Sequence, residues 1–323
     1  MRIKKYVSLL ILLACAAGVL LVLEYLRLPH DTHSWREIHN AGHAPLSGIL
    51  ALALLGISRI VLGTRIRNPI AHFVIALTLT VSIGAISEIS QIPQQRDADI
   101  WDLIRDVAGA ILFLALYMAI DPAVRQIRAR FDWLRIALIV IAVLLLAATL
   151  VPSALWIVAD LQRDKAIPNI LTFESVWEEK YVTVIDAELE IVKPPDGFID
   201  AGGESVGKLI MLPATYPGMR IDEPFPDWSG YSYFRFEAYS ELDTTVQLAV
   251  RIDDLWHDGG YPDRFNFVVK IQPGLNRISV PLEKVRNAPV SREMDMTKIW
   301  AFHLFAFDIQ DTIEVYLDNF RIQ

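Results

Sequence analysis

Carboxylate and amide side chains recur at helical spacing between two long apolar runs of this chain. Glu88 and Gln91 lie three residues apart, and Asp99, Asp102 and Asp106 follow at intervals of three and four. In a helix, these intervals place the side chains on one face. Ionisable groups at the edge of an apolar segment usually face a protein interior or a wet cavity. Carboxylates in such a place can acquire the raised pKa that acid–base chemistry needs.

A basic residue and two histidines could join this acidic stripe. Arg96 lies between its two groups, and we expect it to bridge Glu88 and Asp102 as a two-pronged donor. His39 and His43 are four residues apart, a spacing that also permits a metal site. The alternative is that the carboxylates only cap the next helix and that the histidines are satisfied by neighbours or water. For the histidines we favour this alternative over a metal site.

The same stretch resembles the signature of the VanZ-like membrane proteins, which have E-x-x-Q, a loop Arg and then D-x-x-D-x-x-x-N-x-x-G. The corresponding positions here are Glu88, Gln91, Arg96, Asp99, Asp102, Asp106 and Gly109. Asp106 stands where the family has Asn, and His43 matches the family's His at the start of the second span. His39 and Asn40 replace the family's Asp-Lys pair. The resemblance covers about the first 120 residues and implies a role linked to glycopeptide resistance.

Five long apolar runs surround these polar groups. The chain has 323 residues, 53% of them hydrophobic, and a mean hydropathy of +0.35, which is high for a soluble protein. Each run is long enough to cross a bilayer as a helix. The predicted spans cover about residues 6–26, 44–62, 70–90, 100–120 and 136–158. The predicted fold class is therefore a helical transmembrane bundle followed by a separate β domain, an α+β multidomain protein.

Charge divides the chain near residue 160. The first 160 residues hold 14 Lys and Arg against 11 Asp and Glu, whereas residues 161–323 hold 16 against 27. Basic residues precede the first run and occupy two alternate loops: Arg2, Lys4, Lys5, Arg65, Arg67, Arg125, Arg128 and Arg130. The positive-inside rule then predicts a multi-pass protein of the cytoplasmic membrane, with a cytoplasmic N-terminus and an extracytoplasmic C-terminal half. The pattern is not that of a nucleic-acid-binding protein.

The C-terminal half alternates apolar and polar residues in short runs between turn signals. We predict strands over about 234–238, 246–252, 265–271, 276–282, 299–307 and 312–322. The natural class is a jelly-roll sandwich. The predicted organisation is a membrane domain over residues 1–160, a connector over 161–180 and a jelly roll over 181–323.

This half resembles the galactose-binding-type jelly rolls, close to the family 11 carbohydrate-binding modules, over about residues 170–323. The resemblance is carried by Asp227-Trp228-Ser229-Gly230-Tyr231, Asp253, Asp263-Arg264-Phe265, Gly274-Leu275-Asn276, Arg292 and Leu317-Asp318-Asn319. It implies a structural calcium between an early Glu and a late Asp, here Glu174 and Asp318. Oxygen ligands suit calcium. The alternative is that Asp318 only caps a turn.

One aromatic and charged loop is the candidate for sugar binding. The candidate residues are Asp253, Trp256, His257, Tyr261 and Arg264. Aromatic faces stack on the apolar faces of sugars, and charged groups hydrogen-bond the hydroxyls. The alternative is that the two aromatic residues close the edge of the sandwich and that Asp263 pairs with Arg264.

Two functions follow from these features. The first is a non-enzymatic envelope factor in contact with membrane lipid that binds a glycan or a lipid-linked envelope component. The second is a membrane enzyme acting on a lipid-linked substrate, with Glu88, Asp102 or Asp106 as acid–base groups and His43 as a further candidate. The sequence has no nucleophile elbow, Walker loop or HExxH motif. A proton-coupled transporter is a third option, but the five runs show no inverted repeat.

Overall fold

The computed structural model describes residues 2–26, 28–29, 32–91, 100–198 and 203–323. Within the chain, two compact units form, Met1–Ile157 and Val158–Gln323. The first is helical, and the second contains all the strands of the described residues. The sequence places the change of character close to this boundary, at residue 160.

Long helices make up the first unit. Their bounds are α1 Arg2–Tyr25, α2 His33–Leu62, α3 Pro69–Gln91, α4 Ile100–Ile120, the short α5 Arg125–Arg130 and α6 Asp132–Ala166. Within the described residues, five helices are long and apolar enough to cross a membrane, all of these except α5.

Close packing of α2 on α4 depends on glycine. A Cβ atom on Gly109 of α4 would overlap the backbone carbonyl of Ala44 and the hydroxyl of Ser47 in α2. Gly48 of α2 lies in the same way against the ring of Phe113 in α4. Small residues allow two helix backbones to approach each other in a membrane, where apolar surface alone does not drive association. The two helices are thereby held close enough for their polar side chains to meet.

Helix α2 begins 11 residues earlier than the predicted second span. Its N-cap is Thr32, whose hydroxyl accepts a hydrogen bond from the backbone N–H of Trp35 at 3.2 Å. Pro45 lies inside the helix without ending it. His39 and His43, which precede the predicted second span, are therefore helical residues of α2.

An ion pair occupies the other end of α2. Arg59, which the sequence suggests would snorkel to the surface, pairs with the buried carboxylate of Asp121. Its guanidinium lies over the rings of Phe73 and Tyr117, at 5.2 and 5.5 Å from their centroids. This end of the helix is held by charge and aromatic packing together.

The second unit consists of two antiparallel sheets. The strands are β1 Asn169–Leu171, β2 Val182–Ile185, β3 Ala187–Val192, β4 Val206–Met211, β5 Gly218–Asp222, β6 Tyr233–Ser240, β7 Val246–Asp254, β8 Phe265–Ile271, β9 Gly274–Pro281, β10 Ile299–Phe305 and β11 Ile313–Ile322. The six-stranded sheet has the order β3-β4-β11-β6-β9, with β1 also paired to β11. The five-stranded sheet has the order β2-β5-β10-β7-β8. Short helices α7, Val176–Glu179, and α8, Leu282–Arg286, lie between strands.

Aromatic side chains join the two sheets. Phe302 of β10 contacts Phe234 and Phe236 of β6 and Phe320 of β11, with ring centroids 4.8 to 6.1 Å apart. Trp228 is fully buried and stacks on Phe234 at 5.1 Å. The sheets therefore face each other across an apolar core. From β4 to β11, each connection except the β7–β8 hairpin crosses from one sheet to the other, as in a jelly roll.

Residues 161–180, the predicted connector, contain several structured segments. Helix α6 continues to Ala166, and β1 pairs with β11. Glu178 closes the next turn by accepting hydrogen bonds from backbone N–H groups at positions 172, 174 and 175. Side-chain to backbone hydrogen bonds therefore order part of this polar stretch. The last six strands differ from their predicted bounds by at most two residues at either end.

Candidate functional site

A histidine lies between two carboxylates where α2 meets α4. Nδ1 of His43 is 3.2 Å from Oδ1 of Asp106, and its Nε2 is 3.7 Å from Oδ2 of Asp102. Arg105 donates a hydrogen bond of 2.5 Å to Oδ1 of Asp102. Asp106 is buried, and the ring of His43 is only 13% exposed. A histidine held in this way by carboxylates has its ring orientation fixed and can exchange a proton with them.

This cluster forms part of the wall of a cavity in the helical unit. The cavity has a volume of about 490 Å³, within the range of small-molecule sites. Its polar lining includes His43, Glu88 and Asp106, and the remainder is mostly apolar, from α1, α2 and α3. The polar groups therefore both pair with one another and face a space large enough for part of a ligand.

The structure describes most, but not all, of the predicted polar cluster. His39 lies edge-on to His43, with ring centroids 5.4 Å apart. Gln91 is the last residue of α3, whereas Arg96 and Asp99 lie outside the described residues. The predicted Arg96 bridge therefore stays a prediction. Arg105, which the sequence analysis missed, forms the described ion pair with Asp102, and its spacing of three residues from Asp102 was the available signal.

A second candidate site lies on the outer face of the five-stranded sheet. One row of cross-strand neighbours runs through all five strands: Thr183, Arg220, His303, Arg251 and Asn266. The next row is Ile185, Gly218, Phe305, Ala249 and Val268. Residues that alternate with them, such as Val250, Phe302 and Leu304, are fully buried in the sandwich. The two rows therefore face away from the core.

All residues of these rows except Thr183 and Arg220 line a cleft of about 670 Å³, which we call the outer cleft. It is lined by Ile185, Tyr216, Gly218, Met219, Ala249, Arg251, Tyr261, Arg264, Asn266, Phe267, Val268, His303, Phe305 and Phe307. Five of these side chains are aromatic, and Tyr216 packs edge-on against Phe305 at 5.9 Å. The lining thus combines flat apolar faces with hydrogen-bond donors, the combination that polyhydroxylated ligands need.

Asp253 fixes two of the polar groups in the outer cleft. It is buried and accepts hydrogen bonds from Nε of Arg251 at 3.0 and 2.8 Å. Nε2 of His303 lies 3.3 Å from its Oδ2, close enough for an ion pair but not aligned for a hydrogen bond. Burial opposes ionisation of Asp253, but His303 and Arg251 outweigh it and lower its pKa. Burial and the charge of Arg251 lower the pKa of His303, and together they outweigh the opposing effect of Asp253.

Tyr261 and Arg264 form one side of the outer cleft. The guanidinium of Arg264 lies over the Tyr261 ring, 5.2 Å from its centroid. Tyr261 is 69% exposed, so it does not close the sandwich edge as the packing alternative supposed. Burial and the nearby charge of Arg251 lower the pKa of Arg264. Its Nε is buried and has no hydrogen-bond partner among the described residues.

Arg292 holds the loop that carries these residues. It bonds both oxygens of Asp263, at 2.6 and 2.9 Å, and both oxygens of Asp254, at 2.5 and 2.7 Å. Hydrogen bonds from Arg292 lower the pKa of Asp263 to about 2. The pairing of Asp263 with Arg264, one of the alternatives from the sequence, is wrong, because Asp263 turns to Arg292 instead.

The remaining predicted sugar-binding residues are placed outside the lining of the outer cleft. Trp256 is 62% exposed and donates a hydrogen bond to Asp295 at 3.3 Å. His257 is turned inward, with Nδ1 2.9 Å from the backbone oxygen of Asp263. Asp253 lies buried beside Arg251 and positions it. Of the five candidates, Tyr261 and Arg264 are the two that the structure brings together in the cleft.

A metal ion could be shared by ligand-type side chains at one place in the described residues. His257, Asp258 and Asp263 have ligand atoms within 4.8 Å of one another. Arg292 already neutralises Asp263, and its charge opposes a cation there. The predicted calcium ligands are elsewhere. Glu174 is exposed and accepts a hydrogen bond from the N–H of Ser205, and buried Asp318 accepts one from the N–H of Asn319.

Most residues of the outer cleft were not predicted as site residues from the sequence. Arg251 and Asn266 were visible only as polar positions in alternating strands, and His303 and Phe305 only as part of a predicted strand. Their common signal is that each occupies an outward position of its strand. That signal becomes specific only when the order of the strands is known, because β10 lies between β5 and β7 although all three are far apart in sequence.

The sequence matches no family model and no curated protein. Among solved structures, an exo-β-agarase is similar with 20% identity and a TM-score of 0.39 over 48% of this chain and 24% of that chain. A family 11 carbohydrate-binding module from Clostridium thermocellum, in complex with a β-1,3-1,4-mixed-linked tetrasaccharide, has 15% identity and a TM-score of 0.39 over 48% of this chain and 94% of that one. The chain thus spans about a quarter of the agarase. The description of the second unit as a sandwich rests on its own sheet order.

Proposed function

We propose that this chain is a multi-span membrane protein of the cell envelope whose β-sandwich binds a glycan in the outer cleft. The observation that carries the proposal is the lining of that cleft, in which five aromatic side chains surround Arg251, Asn266 and His303. Sugars present apolar ring faces and a periphery of hydroxyl groups, so they are recognised by aromatic planes together with fixed donors and acceptors.

The donors of the outer cleft are already oriented. Arg251 is held by two hydrogen bonds to Asp253, and cross-strand pairing fixes Asn266 beside Arg251. A site whose polar groups are ordered before binding loses less entropy when the ligand arrives. The volume of about 670 Å³ suits a short oligosaccharide.

A glycan array with the full chain in lipid nanodiscs tests this proposal. We expect binding to one class of glycan, and Tyr261→Ala should weaken it roughly ten-fold because it removes one stacking plane. Trp256→Ala is the matched control, since Trp256 is similarly exposed but lies outside the cleft lining. If no glycan binds, or if the control is as damaging as Tyr261→Ala, the outer cleft is not the glycan site.

The helical unit supports a second candidate function. We infer that it is VanZ-like, on the residues Glu88, Asp102 and His43, and that it acts on or binds a lipid-linked envelope component. The specific observation in favour is that His43, Asp106 and Glu88 all line one cavity. Asp102 and Asp106, on either side of His43, could give or take a proton there.

Resistance to a glycopeptide antibiotic provides the readout for this second function. Expression of the full chain should raise the inhibitory concentration of a glycopeptide antibiotic, and His43→Ala should abolish the increase. Arg128→Ala, outside the cavity lining, should keep it. No increase with the unaltered chain would exclude the role in resistance, whereas an increase that survives His43→Ala would exclude an essential role of His43.

A further inference from the structure

The outer cleft differs in charge from the half of the chain that contains it. Residues 161–323 carry 16 Lys and Arg against 27 Asp and Glu. The described lining of the cleft nevertheless contains Arg251, Arg264 and His303 and no Asp or Glu. A concave surface that gathers cations within an acidic domain focuses its field on an incoming anion.

Two of the arginines near the outer cleft are compensated by carboxylates beneath or beside them. Arg251 is hydrogen-bonded to buried Asp253. Arg220, the row neighbour of His303, has its Nε 2.6 Å from Oδ1 of Asp222. Both arginine charges are therefore balanced within the protein. His303 lies 3.3 Å from the carboxylate of Asp253, and burial and Arg251 lower the pKa of its ring, which disfavours the charged form.

Arg264 is the arginine of the cleft lining whose charge is not balanced by a carboxylate partner among the described residues. In the part of the chain that the structure describes it forms no ion pair, and its buried Nε has no hydrogen-bond partner. Its guanidinium lies over the Tyr261 ring. The charge of Arg251 is close enough to disfavour the charged form of Arg264. A partly buried guanidinium next to a like charge is stabilised by an anion, and its planar fork fits a carboxylate or a phosphate.

We propose that the outer cleft binds an acidic saccharide, one that bears a carboxylate or a phosphate group. In this complex Arg264 binds the anionic group, and the aromatic side chains of the cleft stack on the sugar rings. The inference rests on the proposed glycan binding and narrows it to a chemical class. Because Arg264 is the one positive charge of the described lining without a carboxylate partner, we expect the cleft to bind one anionic group of the saccharide. Arg264 would be a specificity-determining residue, because neutral glycans would use only the aromatic faces and the other donors.

Matched pairs of ligands test this inference by titration calorimetry on the full chain in phosphatidylcholine nanodiscs. The first pair is tetragalacturonate and its fully methyl-esterified form, which share a backbone and differ in the free carboxylates. The second pair is mannose 6-phosphate and mannose. We expect at least one acidic ligand to bind roughly ten-fold or more tightly than its neutral partner, since a hydrogen-bonded charge contributes more than a neutral donor. The acidic ligand that binds identifies the anion as carboxylate or phosphate.

Substitutions of Arg264 separate its role from a general loss of positive charge. Arg264→Gln should remove the preference for the acidic ligand, and Arg264→Lys should keep part of it, because lysine retains the charge without the fork. Arg277→Gln is the control: it removes one positive charge from the six-stranded sheet, where Arg277 is 62% exposed. Thermal unfolding of each variant shows whether the sandwich is intact.

The outcomes distinguish this inference from the broader proposal. Equal affinity for acidic and neutral partners overturns the acidic preference and leaves glycan binding standing. Binding of only neutral glycans on the array, with none of the acidic ligands bound, also overturns it. A preference that survives in Arg264→Gln removes Arg264 from the site. If neither the array nor the calorimetry detects any sugar, the proposed function itself has failed.

Discussion

Arg292 shows how one side chain can fix a whole loop. Its guanidinium joins Asp254, at the end of β7, to Asp263, just before β8. The side chains of both carboxylates are almost fully buried, at 0 and 7% exposure, whereas Arg292 is 26% exposed. The loop between these two residues leads to Arg264 and carries Tyr261. The position of the cleft wall therefore depends on an ion pair that does not line the cleft itself.

Removal of Arg292 should destabilise the sandwich. Arg292→Ala leaves two buried carboxylates unpaired, which costs about 3 kcal/mol of unfolding free energy. Arg277→Ala should cost less than about 1 kcal/mol, because its 3.5 Å contact with Glu237 is exposed on the arginine side. Thermal unfolding followed by near-ultraviolet circular dichroism measures both. Equal losses in the two variants would contradict the assigned role of Arg292.

The same pair gives the unfolding free energy a defined pH dependence. Asp263 has its pKa lowered from 3.8 to about 2 in the folded state, with Arg292 as the main cause. Between these values the unfolded chain binds more protons than the folded one, so stability falls as the pH falls. We expect the melting temperature to decrease from pH 5 to pH 2, and this decrease should be smaller in Arg292→Ala. A variant with the unaltered slope would show that another group titrates.

The calcium site implied by the resemblance depends on two residues, Glu174 and Asp318. The one described group of three or more ligand-type side chains close enough to share an ion contains neither Glu174 nor Asp318. If these two carboxylates nevertheless bind calcium, a chelator should lower the melting temperature of the full chain's sandwich, since the ion stabilises only the folded state. An identical melting curve with and without chelator would favour the reading of Asp318 as a turn cap.

Individual site residues were predictable where local spacing defines them. His43, Asp102 and Asp106 follow from helical intervals and come together in the structure. Arg264 and Tyr261 follow from the composition of one loop. His303 and Arg251 were not identified as a site, because their proximity is created by the order of β10 and β7 in the sheet. Nothing in the local sequence of either strand specifies its neighbour.

At the scale of elements, the long helices and the late strands were the easiest features to predict. Apolar runs of bilayer length and strict alternation are strong periodic signals. The start of α2 was missed, because its first turns are polar. The strands β1 to β5 are short and were not individually predicted. Strand β1 is recognisable only by its pairing with β11. Local signals therefore identify elements better than they identify partners.

Alanine substitutions at two glycines of α2 and α4 should change the stability of the helical unit in different directions. Gly109→Ala should destabilise the helical unit by about 1–3 kcal/mol, because the new methyl group overlaps the Ala44 backbone. Gly42→Ala, in α2, has no atom within 4 Å of the added Cβ and should be neutral or stabilising by up to about 1 kcal/mol. Thermal unfolding in detergent micelles measures both. If Gly109→Ala were as stable as Gly42→Ala, the helices would not be held together at this point.

At the scale of the whole molecule, charge is distributed very unevenly. The first 160 residues have a net charge of +3 and residues 161–323 a net charge of −11, from 14 and 16 basic against 11 and 27 acidic residues. Anionic lipids of the cytoplasmic leaflet attract basic loops beside a membrane and repel acidic domains. The acidic half is therefore expected on the side away from that leaflet.

Topology follows from this distribution and from the number of spans. Basic residues lie in the first turn of α1, between α2 and α3 and in α5, and the positive-inside rule predicts that these three positions are cytoplasmic. An odd number of crossings then carries the C-terminus to the opposite side. A reporter that fluoresces only in the cytoplasm, fused after Gln323, should stay dark, while the same reporter fused between Arg65 and Arg67 should fluoresce. A bright C-terminal fusion would place the outer cleft in the cytoplasm, out of reach of an envelope glycan.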